Sequence, residues 1–273
     1  MSLQETLQQL LQVFRITPNK VLGQNFMVEP AFFSRLAIYA ELVSSDVVLD
    51  VGAGFGFLSK FLGDKCSCVI AVEKDPCVAL VLRQQTSVFS NIVVVEGDVL
   101  KTVLPNFNKV IAAPPYYLSS KLVLFLLDCT VDCIVLIVQK EFANRLVAKV
   151  GSDDYSWLTV IVYQKATVEV LDLVPKDMFY PSPDVDSVIL RIKPRQHPAF
   201  TVKDSYFFKQ MVKWLFIERN KKVSNALEPF IKNTLKMCKP DFQKIIQNVS
   251  YREIRPRELA PEDFGVLADV FTN

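Results

Sequence analysis

The sequence predicts a doubly wound α/β protein with a mainly parallel sheet, followed by a small all-α domain. Three observations predict it. First, apolar runs of strand length recur between Asp46 and Val138: "VVLDV" (47–51), "CVIAVE" (68–73), "IVVVE" (92–96), "KVIAA" (109–113) and "CIVLIV" (133–138). They are continuous and rich in β-branched residues, which is how strands buried on both faces of a parallel sheet read. Second, helix-like stretches separate them, such as Gly56–Gly63 and Pro76–Gln85, the latter started by Asp75-Pro76. Repeated βα units of this kind wind into an open sheet with helices on both faces. Third, the pattern changes after "KPRQHP" (193–198). Phe207, Met211 and Leu215, then Val223, Leu227 and Phe230, fall at helical spacing beyond this Pro-containing linker.

The remaining elements follow from the same patterns. "TVEVLDLV" (167–174) and "DSVILRI" (186–192) add two strands as a hairpin at one edge, making a sheet of seven. Leu3, Leu7, Leu10 and Phe14 have helical spacing, as in an amphipathic helix packed onto the body. The chain of 273 residues suits one large domain, 1–194, and a small one, 195–273.

Composition excludes several function classes. Apolar runs such as Leu122–Leu127 are far shorter than the ~20 residues of a membrane span. The first residues, "MSLQETLQQLLQVFRI", have no basic n-region and no small-residue cleavage site. A cytoplasmic, monomeric chain with reduced thiols and no membrane association is expected. Cys66 and Cys68, and Cys129 and Cys133, lie in or beside apolar runs without a second pair at zinc-finger spacing. They read as packing residues, so no metal is expected. The single histidine, His197, argues against a Ser-His-Asp or Cys-His mechanism. Charge is uneven: residues 1–194 carry 17 Lys+Arg and 20 Asp+Glu, whereas 195–273 carry 14 and 9. The net of +5 in the second segment suits an anionic partner, as it also suits a solvated surface.

Four motifs carry chemistry. In "VLDVGAGFGFLS" (48–59) a strand runs into Gly52-x-Gly54-x-Gly56 and then a helix. Glycines there let a ligand approach the backbone at a helix N-terminus. A dinucleotide fingerprint would need glycine at Phe57, which disfavours a nicotinamide oxidoreductase. Glu73 ends the next strand, where a carboxylate can accept hydrogen bonds from ribose hydroxyls. Asp98 ends the third strand, placed to accept from an adenine amine, although Gly97-Asp98 also reads as a plain turn. The fourth motif is "VIAAPPYYLSS" (110–120). Pro114 and Pro115 lack N–H groups and cannot continue the sheet ladder, and Tyr116 offers a face on which a base can stack.

Together these motifs resemble the small-subunit ribosomal RNA adenine N6-dimethyltransferase family (KsgA-type), with its S-adenosylmethionine methyltransferase, Rossmann-like fold. "LGQNF" (22–26) is similar to the family's opening signature, and "MFYPSPDVDSVIL" (178–190) to its F-x-P-x-P-x-V-x-S pattern. The resemblance runs from 19 to about 192 and, more loosely, through "FIERNKKVSNAL" (216–227). "EFANRLVAKVGSDDYSWLTV" (141–160) looks closer to archaeal than to bacterial members.

The resemblance implies S-adenosylmethionine as cofactor and immature small-subunit rRNA as partner. Asn25 and Met27 would lie near the methionine end, with Gly52 and Gly54 facing the cofactor through their backbone. Glu73 would hold the ribose and Asp98 the adenine amine, with Pro114 supplying a carbonyl to the target N6. Tyr116 and Phe179 would sandwich the flipped adenine. One position departs from the pattern. The family carries Asn where this chain has Ala113, which lines the cofactor site without a side-chain acceptor for N6. A slow enzyme, a replacement acceptor, or a non-catalytic RNA-binding assembly factor are the alternatives. Arg219, Lys221 and Lys222 form a basic cluster that would contact RNA phosphates, or else a solvated helix junction.

Overall fold

A computed structural model describes residues 1–272. Its main sheet contains β1 (Val47–Val51), β2 (Cys68–Glu73), β3 (Ile92–Glu96), β4 (Lys109–Ala112), β5 (Cys133–Gln139), β6 (Ala166–Val174) and β7 (Ser187–Pro194). Strand order is β3-β2-β1-β4-β5-β7-β6. The first five strands pair in parallel, and β7 joins β5 antiparallel. The expected seven-stranded, mainly parallel sheet is therefore present, with β7 and β6 as neighbours at one edge. Order reverses at β1, between β2 and β4, which is where an open α/β sheet leaves a crevice at its carboxyl edge.

The strands at the centre are buried as their sequences require. β4 is fully buried, and β5 is buried except for its last residue. β3 departs from the expectation of burial on both faces. It is an edge strand, and Val93 is 45% exposed. Its β-branched run resembles that of a central strand because only the sheet order makes it an edge.

Helices α1 (Leu3–Val13), α2 (Pro30–Tyr39), α3 (Phe57–Gly63), α4 (Pro76–Thr86) and α5 (Ser119–Leu126) belong to the same unit. The first begins with a capping box in which Ser2 and Glu5 satisfy each other's backbone N–H groups. It buries Leu7 and Leu11. In α4, Asp75 caps the N–H groups of Cys77 and Val78, and Pro76 takes the first position.

A buried ion pair ties this unit together. Lys109 Nζ lies 3.0 Å from Asp46 Oδ2 and donates to the carbonyls of Ala40 and Glu41. Asp46 also accepts from the Val43 N–H and the Asn108 amide. Burial pushes the Asp46 carboxyl up, but hydrogen bonds from Val43, Asn108 and Lys109 outweigh it and hold it below the usual value. The starts of β1 and β4 are thereby joined to the end of α2.

The chain divides into two compact units: 1–143 with 168–194, and 144–167 with the segment from 195 onward. The second contains α7 (Trp157–Lys165), α8 (Ser205–Ile217), α9 (Val223–Leu235), α10 (Lys239–Ile246) and α11 (Pro261–Phe271), while α6 (Lys140–Leu146) runs across the division. Residues 144–167, expected from sequence to stay with the first domain, pack with the later helices. The Tyr155 hydroxyl donates to the Leu259 carbonyl at 2.9 Å, and its ring meets Phe216 edge-on at 5.4 Å. Leu158 through Val162 are all buried, so α7 has no polar face to mark which core it joins. Among the described residues, no helix is long and apolar enough to cross a membrane.

Candidate active site

The glycine loop that follows β1 is held by β2. Gly52 and Ala53 donate their N–H groups to the Val72 carbonyl at 2.9 and 3.0 Å. Gly52 has φ 73°, and a Cβ there would stand 2.9 Å from Pro115 Cδ. Gly54 has φ 58°, and its Cβ would meet the Phe26 ring at the same 2.9 Å. Both positions need glycine for conformation and for close approach. The loop therefore packs directly on the Pro-Pro turn after β4.

Two buried carboxylates face this loop from behind. Glu73 Oε2 accepts from the Gly54 N–H and Oε1 from the Asp75 N–H, both at 2.9 Å. Burial raises its pKa, and those backbone donors oppose the rise. Asp50 is 1% exposed and receives the Ser59 hydroxyl at 2.7 Å. Burial pushes it up to about 7, against the Ser59 hydrogen bond and with help from the nearby Glu73 charge. Asp98 lies further out, where the Leu100 N–H and Lys74 Nζ hold it below the usual carboxylate range.

Two cavities meet at this loop. One, of about 640 Å³ and open to solvent, is lined by Glu73, Asp98, Lys74, Val99, Pro115 and Tyr117. The other, of about 460 Å³, is lined mainly by apolar groups such as Met27, Phe33, Phe57 and Ile137, with Asp50 and Gly54. Asn25, Phe26, Gly52 and Ala113 line both. The first has carboxylate acceptors for hydroxyls and an amine, and the second pairs apolar walls with one buried carboxylate. The residues present fit an elongated cationic ligand that carries a ribose and a purine.

The sequence profile described as "Ribosomal RNA adenine dimethylase" matches residues 16–257. The chain belongs to the ribosomal RNA adenine dimethylase family. Among its archaeal relatives is "Probable ribosomal RNA small subunit methyltransferase A" of Methanosarcina acetivorans, 37% identical over 90% of this chain and 91% of that one. The protein of the same name from Thermococcus sibiricus is 34% identical over 97% and 96%. A solved dimethyladenosine transferase from Plasmodium falciparum superposes with TM-score 0.78 at 28% identity, covering 88% of this chain and 94% of that one. The 23S rRNA methyltransferase ErmE gives TM-score 0.66 at 27% identity, covering 91% and 100%.

In this dimethylase the residues expected at the cofactor come together: Asn25, Met27, Gly52, Gly54, Glu73, Asp98 and Ala113 all line one or both cavities. The expected catalytic residues do not. Pro114 is buried, its Cα 3.6 Å from where a Cβ on Gly52 would stand, and lines neither cavity. The Tyr116 hydroxyl lies 2.6 Å from Ser187 Oγ, and the side chain lines neither cavity. Phe179 is 4% exposed and pairs with Met27 in a short antiparallel ribbon of Phe26–Met27 with Phe179–Tyr180. A sandwich of Tyr116 and Phe179 around a base therefore requires these rings to leave their present packing.

Of the two adjacent tyrosines it is Tyr117, 54% exposed, that lines the first cavity, together with Phe26. The Tyr117 ring packs beside Gly23, where a Cβ would stand 3.4 Å from Cδ1. Sequence reasoning singled out Tyr116 and passed over its neighbour, although the doubled tyrosine was the available signal. Stacking on an aromatic ring contributes ~1–3 kcal/mol per base. Tyr117→Leu is expected to weaken binding of S-adenosylhomocysteine about tenfold by calorimetry, with Tyr117→Phe close to the wild type.

The expected RNA contacts lie in the second unit, where all three bind acidic or carbonyl partners. Arg219 donates to the Asp153 carbonyl at 3.1 Å, Lys221 pairs with Glu218 at 2.8 Å, and Lys222 pairs with Glu253 at 2.7 Å. The Lys221 and Lys222 side chains remain more than half exposed. Such exposed pairs are weak, so a phosphate can exchange with the carboxylate.

Proposed function

We propose that the protein transfers methyl groups from S-adenosylmethionine to N6 of adenosines in small-subunit rRNA. The targets are two adjacent adenosines near the 3′ end, modified during ribosome biogenesis. The observation that carries this reading is the pair of cavities meeting at Gly52 and Ala113 in a chain of the dimethylase family. When bound, S-adenosylmethionine would supply a methyl carbon activated by its positively charged sulfur, and the surplus proton of the methylated amine would leave to water.

The chain's own residues bind and orient. Glu73 accepts from the ribose, and Asp98 from the adenine amine. Asp50 supplies negative charge to the second cavity, and Gly52 and Gly54 admit the ligand to the backbone. The carbonyl of Pro114 accepts from the target N6, and Tyr116 and Phe179 leave their present packing to stack on the target base. Positioning of this kind contributes a large part of the rate of a bimolecular transfer. The methyl is already activated, so no metal is assigned. Arg219, Lys221 and Lys222 contact rRNA phosphates, and the protein works as a cytoplasmic monomer.

One observation favours a second reading. The Ala113 side chain has no oxygen to hold N6, and a preorganised polar contact of that kind is worth ~10²–10³ in rate. A weakly active or non-catalytic ribosome-assembly factor would keep the same fold. Mass spectrometry of rRNA from immature small subunits, incubated with the protein and S-adenosylmethionine, separates the two. Dimethyladenosine is expected; unmodified rRNA on subunits that still bind the protein would establish the assembly factor.

A further inference from the structure

We infer that Asn25 supplies the acceptor that Ala113 lacks, its Oδ1 holding the target N6 amine where the two cavities join. The inference rests on the function proposed above. The sulfonium sulfur joins the adenosyl and methionine portions of the cofactor. With the adenosyl portion among Glu73 and Asp98 and the methionine portion beside Met27 and Asp50, the transferable methyl lies at the junction of the cavities. The four residues that line both are Asn25, Phe26, Gly52 and Ala113. Among them only Asn25 has a hydrogen-bonding side chain.

Its surroundings hold it ready. The Asn25 amide Nδ2 donates to the Gly23 carbonyl at 3.4 Å, and Oδ1 accepts no hydrogen bond from the described residues. The backbone is fixed on both sides. Gly23 caps the preceding turn at φ 62°, and Phe26 pairs with Tyr180 in the ribbon. The neighbouring amide cannot take the role, because Gln24 is committed at both ends. It donates to Asp75 Oδ2 at 2.8 Å and accepts from the Asn19 N–H at 2.7 Å. An amide oxygen is the same chemical acceptor that the motif resemblance implies for position 113. Here it reaches the junction from the segment before the ribbon instead of from the end of β4.

Methyl transfer to immature small subunits at saturating S-adenosylmethionine tests this, with cofactor Kd measured separately by calorimetry. Asn25→Ala is expected to lower kcat about 10²–10³-fold, at least tenfold more than it changes Kd. Adding Ala113→Asn to Asn25→Ala is expected to restore at least a tenth of the wild-type kcat. The inference is overturned if Asn25→Ala weakens cofactor binding while kcat at saturation is unchanged. It is also overturned if the wild type makes no product and Ala113→Asn alone does, a result that leaves the family's chemistry in place. No product from either protein, on subunits that bind both, sinks the functional reading and the inference together.

Discussion

Asp50→Asn is expected to stabilise the ligand-free protein at pH 8 and to flatten its stability between pH 4 and pH 7. The folded carboxyl titrates near 7, above its ordinary 3.8, chiefly because it is buried. Between those values the folded protein binds more protons than the unfolded chain, so stability falls as pH rises. The contribution is complete below about pH 4 and is lost as pH passes about 7. Raising a carboxyl that far corresponds to ~4 kcal/mol against the ionised form. Glu73 is raised by burial as well and acts in the same direction. Asparagine keeps an oxygen for the Ser59 hydroxyl, now 2.7 Å from the carboxylate, and carries no charge to bury. Thermal unfolding at pH 4 and pH 8 is the measurement, with a gain of several degrees expected at pH 8 and little change at pH 4. A gain of the same size at both pH values would remove the charge from the explanation. The same variant is expected to bind S-adenosylmethionine at least about tenfold more weakly. A cation in the second cavity is what makes the buried charge worth keeping.

The other large effect is on folding. Lys109→Met is expected to cost ~3–5 kcal/mol, the range for removing one partner of a buried ion pair. Lys109 is 8% exposed and Asp46 is 4% exposed, so water cannot replace the ammonium. The substitution leaves the Asp46 charge buried and removes a donor from the carbonyls of Ala40 and Glu41. The urea midpoint should fall sharply. Lys109→Met with Asp46→Asn should recover part of it, because the orphaned charge is then gone while the Val43 and Asn108 contacts have an oxygen left. A double variant no more stable than the single one would mean that the lost packing of Lys109, and not the stranded charge, sets the cost.

The parallel strands and the glycine loop were legible because each is written in consecutive residues. "CVIAVE" and "CIVLIV" leave few alternatives to a buried strand. Glu73 and Asp98 were legible for a related reason: ligands gather at the carboxyl ends of parallel strands, and Glu73 ends its strand while Asp98 follows the end of the next, Glu96, by two residues. Ala113 could be read as a departure because its flanking residues resemble a motif.

What remained hidden depended on partners distant in the chain. Two adjacent tyrosines have nearly the same local sequence, and the fold gives them different fates. Ser187, 71 residues from Tyr116, ties that hydroxyl down, while Tyr117 faces the cavity. Lys109 reads as an ordinary strand residue until β4 is set beside Asp46 and the end of α2. Residues 144–167 read as a continuation of the α/β half because an apolar helix does not say which core it enters. The sequence by itself determined the family, the sheet and the cofactor's side of the crevice, since backbone preference and apolar periodicity are local properties. Only the tertiary structure decided which tyrosine faces the site, which carboxylates are buried, and that Asn25 shares the junction with Ala113. Those are properties of desolvation and of distance in space.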